Sequence, residues 1–194
     1  MKKILVALAG AILFAPAVWA DSEFSVVVQG GATHYTQSLS DSNTGAAYGA
    51  RFGILPTPML GVELGYLGTQ NNLEQSLDLG RQASTIRTNE GYADLRLNVL
   101  PGAITPYVFG GYGLTWVNGA AASGIPNRNV NTLPFGGGVE ANLGAFKVGG
   151  RFQYNYLFDR IYTGSSGNAA GVSADKGGNS DFYSVSLDLG ASFR

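Results

Sequence analysis

The chain has 194 residues, with 12 basic and 13 acidic side chains, 29 glycines, 10 tyrosines, 10 phenylalanines and no cysteine. This length allows one domain or two small ones, and the aromatic content excludes a disordered chain. A net charge of −1 argues against a nucleic-acid partner. The lack of cysteine excludes disulfides and thiolate metal sites.

The first twenty residues have the pattern of a secretory signal peptide. Two lysines precede an apolar run, and the segment closes on small residues up to Ala20. This pattern predicts cleavage between Ala20 and Asp21, which leaves residues 21–194 as a single exported domain. The alternative of an uncleaved membrane anchor is disfavoured because the run is short and contains Pro16.

Eight later segments alternate between apolar and other residues with a period of two, as strands with two different faces do. They are residues 23–33, 46–54, 60–66, 91–99, 106–116, 133–143, 146–158 and 183–193. The connections alternate between short turns and long polar stretches. Short turns are predicted at 55–59, 100–105 and 144–145, and long loops at 36–45, 69–88, 118–131 and 160–181. This layout predicts an all-β fold, an eight-stranded antiparallel up-and-down transmembrane β-barrel.

The apolar face of these segments is predicted to contact lipid. No position on it is charged, although one Lys or Arg at the bilayer midplane costs about 2–4 kcal/mol. Its aromatic residues gather at both strand ends, as in the girdles of membrane barrels. They are Phe24, Phe146 and Phe193 near the turns, and Tyr48, Tyr66, Trp116, Phe135, Phe158 and Tyr183 near the loops. In the fifth segment, the aromatic residues Tyr107 and Phe109 fall on the opposite face.

The other face is predicted to line the barrel interior. Its charged residues are Arg51, Glu63, Glu90, Asp94, Arg96, Glu140, Lys147, Arg151 and Asp188. Side chains fill the interior of an eight-stranded barrel, and an isolated buried charge costs several kcal/mol. We therefore expect interlocked ion pairs instead of an open pore, with glycines making room for the long side chains.

The alternation, the signal peptide and two motifs, "TPYVFGGYG" and the terminal "YSVSLDLGASF", resemble the small outer-membrane β-barrel family. That group includes the OmpA transmembrane domain, OmpX, Ail and the opacity-like proteins. The resemblance implies that the barrel-assembly machinery reads the C-terminal strand, with Tyr183, Leu187, Leu189 and Phe193 as its recognition positions. This chain departs from the family pattern by carrying Arg194 after the terminal aromatic residue.

No catalytic, metal or cofactor site is assigned from the sequence. The stretches "FGGYG" and "PFGGGVE" lack the spacing of phosphate-binding loops, so we interpret them as strand glycines. The single histidine, His34, lies near hydroxyl residues, but no flanking motif matches the lipid-modifying barrel enzymes.

The sequence therefore leads us to expect a non-enzymatic bacterial outer-membrane barrel with a filled lumen, acting in envelope integrity or in surface interaction through its loops. The expected partners are outer-membrane lipid and lipopolysaccharide, the assembly machinery and an unidentified loop ligand, and we expect a monomer. One alternative is a narrow channel for ions or small solutes. Another is a lipid-modifying enzyme of the outer leaflet.

Overall fold

The computed structural model describes residues 22–36, 44–73, 84–119, 128–158 and 181–193. These residues form eight strands: β1 Glu23–Tyr35, β2 Gly45–Leu55, β3 Leu60–Leu73, β4 Ser84–Asn98, β5 Ile104–Gly119, β6 Arg128–Leu143, β7 Phe146–Leu157 and β8 Phe182–Phe193. The predicted signal peptide lies outside the described residues. Within the described residues, no helix is long and apolar enough to cross a membrane.

The strands form one closed antiparallel barrel in sequence order. Each strand pairs with the next, and β1 closes the barrel on β8, from the pair Phe24–Phe193 to the pair Tyr35–Phe182. Closure leaves no open sheet edge and satisfies the backbone hydrogen bonds between neighbouring strands. The predicted fold is confirmed.

One end of the barrel carries the three short connections and is called the turn end; the opposite end is called the loop end. Gly144 and Ala145 form the tightest turn, and Gly144 has a φ of 72°, which favours glycine. At the loop end, β3 and β4 continue to Leu73 and from Ser84, into the predicted loop 69–88. The sequence did not indicate these extensions because both strand faces become polar there and the apolar alternation disappears.

The outer wall of the barrel is apolar around its circumference. Large side chains such as Leu187, Phe146 and Leu95 are 64–75% exposed, and every strand exposes large aliphatic or aromatic side chains on this wall. Among the side chains that the structure describes, Arg87 is the one charged group that is exposed. A wall of this composition is suited to lipid and not to water.

Candidate functional site

The interior of the barrel contains a continuous network of ion pairs with Glu63 at its centre. Glu63, on β3, contacts three arginines: Arg151 Nη1 at 2.7 Å, Arg96 Nη1 at 3.0 Å and Arg51 Nε at 3.4 Å. Arg151 also contacts Asp94 at 2.7 Å. All of these side chains are at most 3% exposed, so water does not screen the charges.

Two further branches extend from this centre. Arg51 donates to Asp188 Oδ2 at 2.9 Å on β8. Arg96 binds Glu140 with two nitrogen–oxygen distances of 3.2 Å, and Glu140 accepts from Lys147 Nζ at 2.9 Å. Lys147 also contacts Glu23, a partner that the sequence analysis did not assign. Seven of the eight strands thereby contribute a charged group to one network.

The remaining strand, β5, contributes aromatic rings to the same layer. The guanidinium carbon of Arg151 lies 3.3 Å from the ring centroid of Phe109, and that of Arg96 lies 3.9 Å from the ring centroid of Tyr107. Both rings are buried, at 6% and 2% exposure. Stacking on arginine therefore explains why these two aromatic residues face inward.

Interior glycines provide the space that this network needs. A Cβ atom at Gly111 would lie 2.0 Å from the carbonyl oxygen of Ala93 and 2.3 Å from Oδ1 of Asp94. A larger residue at this position would displace the backbone of β4 or the carboxylate that pairs with Arg151. Gly111 thus has the role predicted for interior glycines, which is to leave room for long charged side chains.

Glu90 differs from the expectation that it joins the network. The structure brings the other eight predicted interior charges together and leaves Glu90 apart, although it is 0% exposed. Neither of its carboxylate oxygens has a hydrogen-bond partner. The reason is its height in the barrel, since Glu90 pairs in register with Leu67 and Thr115, closer to the loop end than Asp94.

The interior toward the loop end is partly apolar, which also differs from the expected polar lumen. A cluster of buried side chains, here called the apolar layer, lies there beside buried polar residues such as Asn71, Thr88 and Asn155. The apolar layer consists of Tyr35, Ala47, Leu67, Tyr92, Val117, Val130, Leu157 and Phe182. Two buried threonine pairs adjoin this layer, each with hydroxyl oxygens 2.6 Å apart. Thr115–Thr132 lies on its arginine side, and Thr69–Thr88 lies on the loop-end side of Leu67. The sequence indicated this layer in one way only: these apolar residues occupy strand positions that the alternation assigns to the interior.

At the turn end the interior opens into a vestibule of about 920 Å³. Its lining includes Glu23, Glu140 and Lys147 from the network, together with Asn98 and Asn142. The two asparagines hydrogen-bond to turn carbonyls at Pro58 and Gly102. The vestibule therefore ends at the ion-pair network.

The predicted girdle and assembly residues lie on the outer wall. Phe24, Phe146 and Phe193 are exposed at the turn end, and Tyr48, Tyr66, Trp116, Phe135 and Phe158 are exposed toward the loop end. Leu187 and Leu189 also face outward, and Tyr183 is half-buried. Their role as an assembly signal stays a prediction.

Two titratable residues at the loop end, His34 and Asp181, have defined side-chain contacts. His34 lies with its ring centroid 5.7 Å from that of Tyr183, a contact between two side chains of the outer wall. Asp181, which sequence analysis assigned to the last long loop, is 2% exposed. Its carboxylate accepts from the backbone N–H of Leu157 at 3.0 Å and from the hydroxyl of Tyr154 at 3.1 Å, so it joins the start of β8 to the end of β7.

A closed eight-stranded antiparallel barrel with an apolar outer wall and a charged interior is a β-barrel of the outer-membrane type. Solved structures support this class. Ail, the attachment invasion locus protein of Yersinia pestis, matches with a TM-score of 0.58 and 15% identity over 89% of this chain and 99% of Ail. Neisserial surface protein A matches with a TM-score of 0.59 and 15% identity over 88% of this chain and 97% of that protein.

A major outer membrane protein from Thermus thermophilus also matches, with a TM-score of 0.59 and 15% identity over 89% of this chain and 99% of that protein. No protein-family model and no curated protein sequence matches the chain. The chain has the fold of the small bacterial outer-membrane barrels.

Proposed function

We propose that this protein is a non-enzymatic outer-membrane barrel whose lumen is closed and whose loop end acts in surface interaction or envelope integrity. The observation that carries the proposal is the double closure of the interior. The Glu63 network blocks the path from the vestibule, and the apolar layer blocks the loop end. Small eight-stranded barrels have an interior that side chains fill, which supports a closed lumen.

Conductance of the refolded protein in a planar bilayer tests the closed lumen. A heat-modifiable gel shift first verifies that the barrel has formed. We expect wild type to be silent. Steady, solute-selective conductance would contradict the proposal and favour a narrow channel, for which the open vestibule is the supporting observation.

Function is then expected to come from the loop end, because rigid barrels place recognition in their exposed connections. One related structure, that of Ail, contains the heparin analogue sucrose octasulfate. The loop end of this chain does not favour a polyanion. In the sequence, the long connections and the strand ends that flank them carry five basic residues and six acidic ones. The basic residues are Arg81, Arg87, Arg128, Arg160 and Lys176, and the acidic ones are Asp41, Glu74, Asp78, Asp159, Asp175 and Asp181.

A complementation experiment tests whether a role in envelope integrity depends on the barrel wall or on the last long loop. Host cells that lack the protein receive either wild type or a variant in which residues 159–180 are replaced by a short turn. Restoration of the envelope barrier by both proteins assigns the role to the barrel wall. Restoration by wild type alone assigns it to the loop, provided that both proteins reach the outer membrane in equal amounts.

Two further parts of the proposal concern location and chemistry. We propose export to the bacterial outer membrane after cleavage following Ala20, contact with outer-leaflet lipopolysaccharide and delivery by the barrel-assembly machinery. N-terminal sequencing of the outer-membrane fraction should begin at Asp21. The mass of lipid A should be the same with and without the protein, and a changed acyl content would favour the enzyme alternative.

A further inference from the structure

Glu90 is a fully buried carboxyl group without a hydrogen-bond partner. Its residue exposure is 0%, and both Oε1 and Oε2 lack a partner. On one side its register neighbour is Leu67, and on the other it is Thr115, whose hydroxyl already pairs with Thr132 at 2.6 Å. A Cβ atom at Gly113 would lie 2.9 Å from Oε1, so the carboxyl group rests against the backbone of β5.

The interior cations are fully occupied by other carboxylates. Each contacts two: Arg51 contacts Glu63 and Asp188, Arg96 contacts Glu63 and Glu140, Lys147 contacts Glu23 and Glu140, and Arg151 contacts Glu63 and Asp94. Those four cations therefore already face five carboxylates before Glu90 is counted. An ionised Glu90 would add a sixth negative charge to an interior with four positive charges.

The charged and titratable groups that act on Glu90 do not offset that charge. Asp94, on the same strand, repels it, and Arg151 of β7 attracts it. The two Nη atoms of Arg151 are engaged by Glu63 and Asp94 at 2.7 Å each. Tyr92, also on β4, has a buried hydroxyl without a partner. From β3 and β5 the register neighbours are the uncharged Leu67 and Thr115.

We propose that Glu90 is a buried proton-binding site and that the folded barrel carries it as the neutral carboxylic acid. An unpaired ionised carboxylate in an apolar interior is far more costly than a neutral acid, and such groups neutralise instead. A proton requires one oxygen atom. Metal cations require several ligands, and among the described residues no group of three metal-ligating side chains exists. Glu90 lies beside the apolar layer, because its register neighbour Leu67 belongs to that layer.

If Glu90 is neutral in the folded barrel, the chain binds one proton when it folds at a pH where the unfolded glutamate is ionised. In the unfolded chain a glutamate ionises at its ordinary pKa of about 4.3. Above that pH the unfolded state binds fewer protons than the folded state, so stability decreases as pH rises. The unfolding equilibrium constant is expected to increase by about tenfold per pH unit from this group alone.

Infrared spectroscopy at pH 7 of the folded protein in vesicles of ether-linked phospholipids, which have no ester carbonyl of their own, tests the proposal directly. We expect the carbonyl band of a protonated carboxylic acid in wild type. The band should be absent in Glu90→Gln, which has the shape of the neutral acid, and retained in Glu140→Gln, a matched control at an ion-paired carboxylate. A wild-type spectrum without this band overturns the proposal, and that outcome needs neither variant to fold.

Urea unfolding between pH 5 and pH 7 provides a second measurement. The unfolding constant of wild type should rise with pH more steeply than that of Glu90→Gln, by about tenfold per pH unit. Equal slopes would refute the proton site. Exchange of sodium for choline should leave wild-type stability unchanged, and a loss of stability without the infrared band would instead identify a bound alkali cation.

Discussion

The two halves of the barrel interior are filled by different chemistry. Toward the turn end, Glu63 and three arginines form a hydrogen-bonded network in which each cation serves two carboxylates. Toward the loop end, the apolar layer from Tyr35 to Phe182 contains no ion pair, and the rings of those two residues lie 5.4 Å apart. Both layers occupy interior positions of the same strands.

The difference shows that the interior positions of a small barrel must be filled by side chains, which can be either polar or apolar. In the ion-pair network each charge depends on its partner, so removal of one member leaves a buried charge unpaired. In the apolar layer each residue is replaceable by another of similar volume, and removal leaves a cavity. The two layers should therefore respond differently to substitution, and they should close the lumen independently.

The largest expected effect is the opening of the lumen when both layers are weakened. Arg151→Ala alone should leave the barrel silent in a planar bilayer, because the apolar layer still closes the loop end. The triple variant Arg151→Ala, Leu157→Ala, Phe182→Ala should conduct. Conductance in Arg151→Ala alone would show that the ion pairs are the one effective barrier.

Arg151→Ala should produce the largest loss of stability of any single substitution. It removes the ion pairs to Glu63 and Asp94 and leaves Asp94 without a cation, which costs roughly 3–5 kcal/mol. Urea unfolding in phospholipid vesicles measures the loss. The matched control is Arg87→Ala on the exposed wall, where a change within about 0.5 kcal/mol is expected. Similar losses in both variants would refute the special role of the buried arginine.

Leu157→Ala should cost about 3 kcal/mol, since Leu157 is 0% exposed and truncation of a buried leucine leaves a cavity. Leu157→Met, which preserves volume, should cost less than about 1.5 kcal/mol. The same unfolding measurement compares the two variants. Equal costs would mean that volume is not what this layer requires.

Substitutions in the Thr115–Thr132 pair should have the smallest effect on stability, and a double-mutant cycle measures it. Thr115→Val leaves the hydroxyl of Thr132 buried without its 2.6 Å partner and should cost about 1 kcal/mol. The double variant Thr115→Val, Thr132→Val should return to near wild-type stability, because both polar groups are gone. Additive losses would show that the hydroxyls contribute through contacts other than each other.

Much of the fold could be predicted from the sequence. The period-two alternation identified all eight strands and the face of each, including Tyr107 and Phe109 on the interior side, because lipid and the interior impose opposite polarity on successive residues. The alternation did not reveal the strand ends near Leu73 and Ser84. Apolar residues no longer recur at every second position there, so a strand cannot be distinguished from a loop by its composition.

The candidate site was predictable in most of its members and not in its arrangement. The sequence by itself determined that the nine predicted charges face inward, since strand parity fixes the face of a residue. The tertiary structure alone decided that Glu63 is the centre, that Glu23 joins through Lys147 and that Glu90 is excluded. Which charges meet depends on the relative heights of residues on different strands, and those heights follow from strand tilt and register when the barrel closes.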